Sequence, residues 1–146
     1  INQLIITERM PAVMNTVLSI ANGLLSLKQF DNGTILIGGG WQGLGDKERG
    51  GVEAIPENLR GNIRLACHAI PALRSGRMVR VWLGLEAETA DALPIIGNVP
   101  GISNAYVIGS VHSGYTSGPY MGWLLSQFIM GQETDMPLFE PSRLVN

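Results

Sequence analysis

The feature that most constrains this chain is a glycine-rich, hydroxyl-rich stretch directly in front of an apolar helix, GSVHSGYTSGPYMGWLLSQFIMG at residues 109–131. Residues 104–111 have the mostly apolar composition of a strand that is buried on both faces. The apolar residues after Pro119 recur at helical spacing up to Gly131, which predicts a helix with proline at its first position. This order places free backbone N–H groups at the positive end of a helix, where partial negative charge is stabilised.

The spacing fits a loop that binds a phosphate, or a carbonyl oxygen that gains charge during a reaction. It also fits a plain strand-to-helix connection without a ligand. Binding of a nucleotide phosphate is not predicted, because no lysine follows the loop in the P-loop manner and no G-x-G-x-x-G motif is present.

Composition narrows the class of protein. The 146 residues are 45% hydrophobic and 15% charged, which is enough to form a core in one domain or two partial ones. A net charge of −2 gives no support for a nucleic-acid partner. No run approaches the roughly 20 apolar residues of a membrane span. The chain begins abruptly in a run of strand character, so we interpret it as a piece of a longer protein.

The few cysteine and histidine residues argue against a metal site. Cys67 is the single cysteine, which excludes an internal disulfide and a multi-cysteine zinc site and suggests a reducing, cytoplasmic location. His68 and His112 have no cysteine or carboxylate at metal-ligand spacing, so no metal is expected.

The first half of the chain predicts a sheet covered by a helix. Residues 3–11 and 77–88 have strand character, and Asn32-Gly33 between two strand-like runs predicts a hairpin with a type I′ turn. Residues 90–101 read as a turn-rich crossing. Leu25, Leu27 and Gln29 alternate with Leu24, Ser26, Lys28 and Phe30, which suits a sheet with at least one covered face. Apolar residues at steps of three and four predict a helix that starts near Pro56, with one face made of Ile55, Leu59, Ile63, Cys67 and Ile70 and with Glu57, Arg60, Asn62 and Arg64 elsewhere.

Two motifs in the second half resemble those of a known family. One is a tryptophan-x-glycine followed by a threonine-x-aspartate-x-x-proline-x-x-glycine run, and the other is a glycine loop that ends in proline. On these residues the chain resembles the C-terminal part of the FAD-dependent amine and amino-acid oxidoreductases, a superfamily that includes glycine oxidase, sarcosine oxidase, D-amino-acid oxidase and the hydrogen cyanide synthase and opine oxidase subunits. The matching residues are Trp82, Gly84, Thr89, Asp91, Pro94 and Gly97, then Gly109, Gly114 and Pro119.

The resemblance implies an α+β fold that is part of a larger two-domain protein. Residues 1–88 would form the end of the substrate-binding domain, with a mixed, mainly antiparallel sheet. Residues 89–146 would supply the last strand and helix of the FAD-binding domain, whose dinucleotide-binding half lies outside this chain. The cofactor would be FAD, and its ring would lie against residues 110–116: Ser110, Val111, His112, Ser113, Gly114, Tyr115 and Thr116.

The resemblance also implies a reaction. It is oxidation of the C–N bond of a small amine or amino acid by hydride transfer to the flavin, for which a dedicated acid-base pair is not needed. No catalytic residue is assigned, and this chain alone is expected to be inactive.

Glu86 and His112 are the candidate substrate-binding residues. The resemblance to glycine oxidase-like members implies the sequence GLRP after this strand, and this chain has GLEAE at the same place. Glu86 would therefore occupy the position of an arginine that binds the substrate carboxylate. Since two carboxylates repel each other, Glu86 indicates a cationic or secondary-amine substrate, or an arginine partner elsewhere. His112 falls at the position of a second arginine. The alternatives are that Glu86 is a solvated strand residue and that His112 is a loop histidine without a chemical role.

Three functions remain open. The first is a fragment of the oxidoreductase, and the second is a non-catalytic subunit or interaction module that pairs with a separate FAD-carrying chain. The third is a β-rich structural domain that only looks similar, which predicts that the first strand is paired within the chain. We also expect residues 104–111 to expose an edge that forms a homo-oligomer.

Overall fold

The computed structural model describes residues 1–21, 23–46, 48–134 and 139–145. They form two compact units, Ile1–Leu85 and Glu86–Asn146. Antiparallel strands and two α-helices make up the structure, which confirms the predicted α+β class.

The first unit is built on a five-stranded antiparallel sheet in the order β2-β3-β4-β1-β7. The central strand β1 is paired on both sides, with Ile5 opposite Ile37 of β4 and Val81 of β7. A separate two-stranded ribbon joins β5 to β6. The strands are β1 Asn2–Thr7, β2 Leu18–Ser19, β3 Ser26–Gln29, β4 Ile35–Gly38, β5 Leu44–Gly45, β6 Val52–Glu53 and β7 Met78–Gly84.

Two of the predicted strands are shorter than expected. The strand predicted at 3–11 ends at Thr7, which lies opposite Met78, the first residue of β7. The strand predicted at 77–88 ends at Gly84, which lies opposite Asn2 at the end of β1. In both cases the strand stops where its backbone partner stops.

The core lies between this sheet and helix α1, Pro56–Ala69. Side chains alternate in and out along the strands, so that Leu25 and Leu27 are buried while Leu24 and Lys28 are exposed, as the sequence predicts. Each fully buried aliphatic side chain contributes about 1.5–3 kcal/mol to stability. The buried apolar side chains of this core are Ile5, Leu25, Leu27, Ile35, Ile37, Ala66 and Leu73.

The hairpin prediction is confirmed, but its turn type is wrong. β3 and β4 are joined by residues 30–34, and Gly33 donates its N–H to the carbonyl of Phe30. Only Gly33 has a positive φ, of 89°, whereas a type I′ turn needs a positive φ at Asn32 as well. The longer loop is typical of a type I turn followed by a left-handed glycine.

Helix α1 is confirmed, with one error in its faces. Leu59, Ile63, Cys67 and Ile70 pack against the core as predicted. Asn62, predicted to lie away from the core, is 1% exposed, and its Nδ2 donates to the carbonyl oxygens of Gly38 and Leu24. A buried amide is tolerated there because these two carbonyl oxygens accept its N–H groups.

The second unit contains a hairpin and a helix. Strands β8, Ile95–Asn98, and β9, Tyr106–Gly109, pair antiparallel. β8 lies inside the predicted turn-rich crossing and was missed, because Pro94 and Gly97 resemble chain breakers. β9 is shorter than the predicted 104–111, and it exposes Tyr106 and Ile108 on one face, so within this chain it is not buried on both faces.

Helix α2 spans Gly114–Ile129 and begins earlier than predicted. Pro119 lies inside the helix rather than at its first position, so the first turn consists of residues that the sequence assigned to the loop. The end near Gly131 is confirmed: Gly131 has a φ of 71°, and Gln132 donates its N–H to the carbonyl of Gln127, which is the Schellman pattern. No helix among the described residues is long and apolar enough to span a bilayer.

Gly61 of α1 provides a test of the core packing. A Cβ at this position would lie 2.5 Å from the Trp41 ring, and that ring is held by its Nε1–H, which donates to the carbonyl of Leu24. Overpacking costs about 1–3 kcal/mol and outweighs the roughly 1 kcal/mol by which alanine favours a helix over glycine. We therefore expect Gly61→Ala to lower the free energy of unfolding by about 1–2 kcal/mol, measured by urea denaturation.

The control is the same substitution in a Trp41→Ala background. Without the ring, Gly61→Ala should raise stability by up to about 1 kcal/mol. The same sign in both backgrounds would contradict the packing argument.

Candidate functional site

The connection between β9 and α2 is held in an uncommon backbone conformation. Ser110 and Ser113 have φ values of 49° and 59°, in the left-handed region that residues other than glycine rarely adopt. Such residues cost on the order of 1–3 kcal/mol each and are frequent at ligand sites. The two serines lie at either end of residues 110–113, which separate the strand from the helix.

The N-terminus of α2 is left without a side-chain cap. Ser113 is the N-cap residue, and its side chain makes no capping hydrogen bond. Its carbonyl accepts the N–H groups of Thr116 at 2.9 Å and Ser117 at 3.1 Å. Within the described residues the N–H groups of Gly114 and Tyr115 have no such partner, so they are available to a ligand with partial negative charge.

The glycines of this helix end are not required by the chain itself. Gly114 has an ordinary helical φ, and a Cβ there would meet only Val111, at 3.9 Å. A Cβ at Gly118 would meet nothing within 4 Å. The side chain of Tyr115 is fully exposed. The residues at this helix end therefore fit a bulky partner that approaches the backbone closely.

Glu86 and His112, the two predicted substrate-binding residues, are in direct contact. His112 Nδ1 lies 2.6 Å from Glu86 Oε1, across 26 residues of sequence. An ionised carboxylate can only accept hydrogen bonds, so Nδ1 carries the proton and donates, which leaves Nε2 for other partners. The sequence identified both residues but not their pairing.

A small cavity adjoins this pair. Its volume is about 130 Å³, and its lining brings the Glu86 segment together with one end of the β9–α2 connection. Val111, Ser113, Gly114, Tyr115 and Thr116 are not part of this lining. The lining residues are Glu86, Ala87, Glu88, Thr89, Ala92, Ser110 and His112.

An ion pair between Asp91 and Arg143 was not predicted from the sequence. Arg143 Nε donates to Asp91 Oδ2 at 2.8 Å, and Nη2 donates to Oδ1 at 3.2 Å. The guanidinium beside Asp91 holds the pKa of this carboxyl well below its usual range, helped by the N–H of Leu93 and the hydroxyl of Thr89. The sequence signal that could have indicated this pair is Asp91 in the turn motif, because a carboxylate there needs hydrogen-bond donors. No pattern in the C-terminal residues identified Arg143 as the donor.

Within the described part of the chain, no group of three or more histidine, cysteine, aspartate or glutamate side chains could hold a metal ion. Cys67 is half-buried against the core.

Comparison with known proteins identifies a family. The model of the family described as FAD dependent oxidoreductase matches residues 2–128. The chain is 32% identical over 139 residues to the hydrogen cyanide synthase subunit HcnC of Pseudomonas aeruginosa, covering 93% of this chain and 31% of that protein. It is 29% identical over 135 residues to the sarcosine oxidase subunit beta of an Arthrobacter species, covering 90% and 32%.

Solved structures show the same fold. Iminodiacetate oxidase from Chelativorans sp. BNC1 has a TM-score of 0.75 at 22% identity, over 96% of this chain and 38% of that one. Glycine oxidase from Geobacillus kaustophilus has a TM-score of 0.72 at 21% identity, over 99% and 39%. The chain thus spans about a third of the length of the curated relatives it matches.

These matches decide whether the chain is related to the family or only looks similar to it. The resemblance drawn from the motifs is confirmed, and a structural domain that only looks similar is wrong. The pairing of β1 within the chain, which that hypothesis predicted, is nevertheless observed. An internally paired first strand is therefore compatible with the family fold.

The Asp91–Arg143 pair leads to a prediction about pH. Since the pKa of Asp91 is lowered in the folded state, the unfolded chain binds more protons in acid. The stability that the pair contributes is therefore present above the usual carboxyl value of about 3.9 and is lost as the pH falls through the lowered value. We expect the stability difference between the wild type and Asp91→Asn to be constant from about pH 5 to 8 and to shrink below about pH 4.

Urea denaturation at each pH measures this difference. Arg143→Gln is the matched control, because Asp91→Asn added to it should then have little further effect. A difference that already disappears between pH 7 and 5 would contradict the lowered pKa.

Proposed function

This chain belongs to the FAD-dependent oxidoreductase family, and from that premise we propose that it is the C-terminal part of an enzyme of the amine and amino-acid oxidase type. Its reaction is oxidation of the C–N bond of a small amine or amino acid, with hydride transfer to FAD. Residues 1–88 belong to the substrate-binding domain and 89–146 to the FAD-binding domain. The rest of the flavin site lies in polypeptide outside this sequence, so the chain alone is inactive.

The uncapped N-terminus of α2 is the observation that carries this proposal. Ser113 makes no side-chain cap, and the N–H groups of Gly114 and Tyr115 have no partner among the described residues. Residues 110–116 hold the flavin ring, with these amides and the positive helix end as donors. When bound, FAD supplies the hydride acceptor, and negative charge grows on its ring as it is reduced.

The Glu86–His112 pair binds the substrate. Glu86 presents a carboxylate at this cavity, at the position where the resemblance to glycine oxidase-like members implies an arginine. A carboxylate attracts an ammonium group and repels a second carboxylate. The substrate is therefore a cationic or secondary amine rather than a simple amino acid bound through its carboxylate. Ser110, a residue of the loop that holds the flavin ring, lines the same cavity, so the substrate site adjoins that loop.

A second candidate is a non-catalytic subunit that pairs with a separate FAD-carrying chain. The mass of the natural polypeptide that carries this sequence separates the two candidates. A polypeptide about three times as long as this chain supports the enzyme, and a short one with a flavoprotein partner supports the subunit.

Two further expectations from the sequence stay predictions: a cytoplasmic location, and assembly of copies through the edge that residues 104–111 expose. Tyr106 and Ile108 are the exposed apolar residues of β9.

The flavin site is tested by Gly114→Val in the natural polypeptide. Within this chain a Cβ at Gly114 has only ordinary contacts, so any loss of flavin reflects the ligand rather than the fold. We expect flavin occupancy, measured as the ratio of visible flavin absorbance to protein absorbance, to fall roughly tenfold or more, which corresponds to about 1.4 kcal/mol of binding.

Gly122→Val is the matched control, because it changes a glycine of the same helix that has no neighbour within 4 Å and lies two turns beyond the N-terminus. Equal flavin occupancy in the Gly114 and Gly122 variants would argue against the proposal.

The substrate class is tested by Glu86→Arg. Bleaching of the flavin absorbance without oxygen, screened with glycine, sarcosine, proline derivatives, D-amino acids and opines, identifies the wild-type substrate. We expect Glu86→Arg to weaken the use of that substrate by about tenfold or more and to favour carboxylate-bearing substrates, because the guanidinium binds carboxylates through two hydrogen bonds. Glu88→Gln, a second carboxylate of the same cavity, is the control. An unchanged substrate preference in Glu86→Arg would remove Glu86 from the site.

A further inference from the structure

Arg143 uses all three of its guanidinium nitrogens. Besides the two bonds to Asp91, Nη2 donates to the carbonyl oxygens of Leu93 at 3.0 Å and Pro94 at 2.8 Å. Nη1 donates to the carbonyl oxygens of Phe139 at 2.9 Å and Glu140 at 3.1 Å. One side chain thus joins the turn Pro141–Leu144 to the segment 91–94, about 50 residues earlier.

The segment that Arg143 holds forms a wall of the Glu86–His112 cavity. Thr89 and Ala92 line that cavity. Ala92 has a φ of 57°, in the left-handed region, and its N–H donates to the carbonyl of Thr89. Thr89 Oγ1 in turn donates to the carbonyl of Leu93 at 2.6 Å. A non-glycine residue keeps this conformation only when its surroundings impose it.

The C-terminal turn is packed against the same region. Ile96 donates its N–H to the carbonyl of Phe139 at 2.9 Å. A Cβ on Gly97 would lie 2.7 Å from Glu140 Oε2 and 3.1 Å from Pro141. The turn therefore contacts β8 directly, and Arg143 is not a tail residue that meets Asp91 by chance.

We propose that Arg143 is a positioning residue for substrate binding: through Asp91 and the carbonyls of residues 93 and 94, it holds the 89–92 wall of the cavity that Glu86 and His112 line. This inference rests on the proposed function. Arginine suits the task because its planar fork offers five donors in fixed directions, whereas lysine offers a single point charge on a flexible stem. The last residues of the chain thereby control the shape of a site that they do not line.

The experiment uses the natural polypeptide, loaded with FAD, in five variants: Arg143→Gln, Arg143→Lys, Asp91→Asn, the double variant Arg143→Gln with Asp91→Asn, and the control Arg60→Gln. Arg60 is exposed and forms an ion pair with Glu57 on α1, far along the sequence from the cavity segment. The measurements are KM and kcat for the substrate found by flavin bleaching, flavin occupancy and thermal midpoint.

We expect Arg143→Gln to raise KM by about 10- to 100-fold, since small misplacements in a binding site have effects of this size, with kcat and flavin occupancy within about threefold of the wild type. Arg143→Lys should recover little of the loss, and Arg60→Gln should match the wild type. Adding Asp91→Asn to Arg143→Gln should change KM little further, because both act through one contact. An unchanged KM in Arg143→Gln, or a KM that rises only together with a matching loss of flavin occupancy, overturns the proposal.

If Arg143→Gln does not fold, Asp91→Asn decides. That variant keeps the bonds from Arg143 to the four carbonyls and loses only the ion pair, so a raised KM supports the proposal and an unchanged KM overturns it. Hydrogen exchange of residues 89–94 gives a readout without turnover: faster exchange there in Arg143→Gln, and not in Arg60→Gln, is expected. A wild type that binds no flavin and oxidises no amine defeats the proposed function, whereas unchanged exchange defeats the role of Arg143.

Discussion

The structure depends on the need of buried backbone groups for hydrogen-bond partners. Strands and helices satisfy most of them, and β1 has neighbours on both edges. Where regular structure ends, single polar side chains take over: Gln3 binds the backbone of residues 42 and 55, Gln29 that of residues 10–14 and Asn62 that of residues 24 and 38. In the second unit, Arg143 does the same for residues 93, 94, 139 and 140. Loops without strand partners are thus held in one conformation, which a binding site requires.

The N-terminus of α2 lacks a polar side chain of this kind, as does that of α1. Ser113 offers no side-chain cap, and the first amides of the helix have no partner among the described residues. Two left-handed serines and a glycine with free space at its Cβ accompany it. An uncapped helix end that combines these features agrees with a partner supplied from outside, and the family is one that depends on FAD.

Short-range patterns in the sequence predicted much of the fold. The alternation around Leu25 and Leu27, the stripe of α1 and the glycine at the end of α2 are confirmed, because each follows from the geometry of a few consecutive residues. The start that the sequence predicted for α2 is wrong, and the reason is local backbone conformation. Proline is favoured in the first turn of a helix, but here the helix begins at the left-handed Ser113, and Pro119 is carried inside it.

The sequence by itself determined the α+β class and the family, and it named Glu86 and His112 as candidate site residues. Only the tertiary structure decided that these two residues meet, that β8 pairs with β9, that Asn62 is buried and that Arg143 binds Asp91. The partners lie between about ten and 52 residues apart, and a polar side chain does not carry in its own type the identity of a distant partner. Periodicity and turn chemistry act over a few residues, whereas these pairings depend on which backbone groups the completed fold leaves in need of a donor or an acceptor.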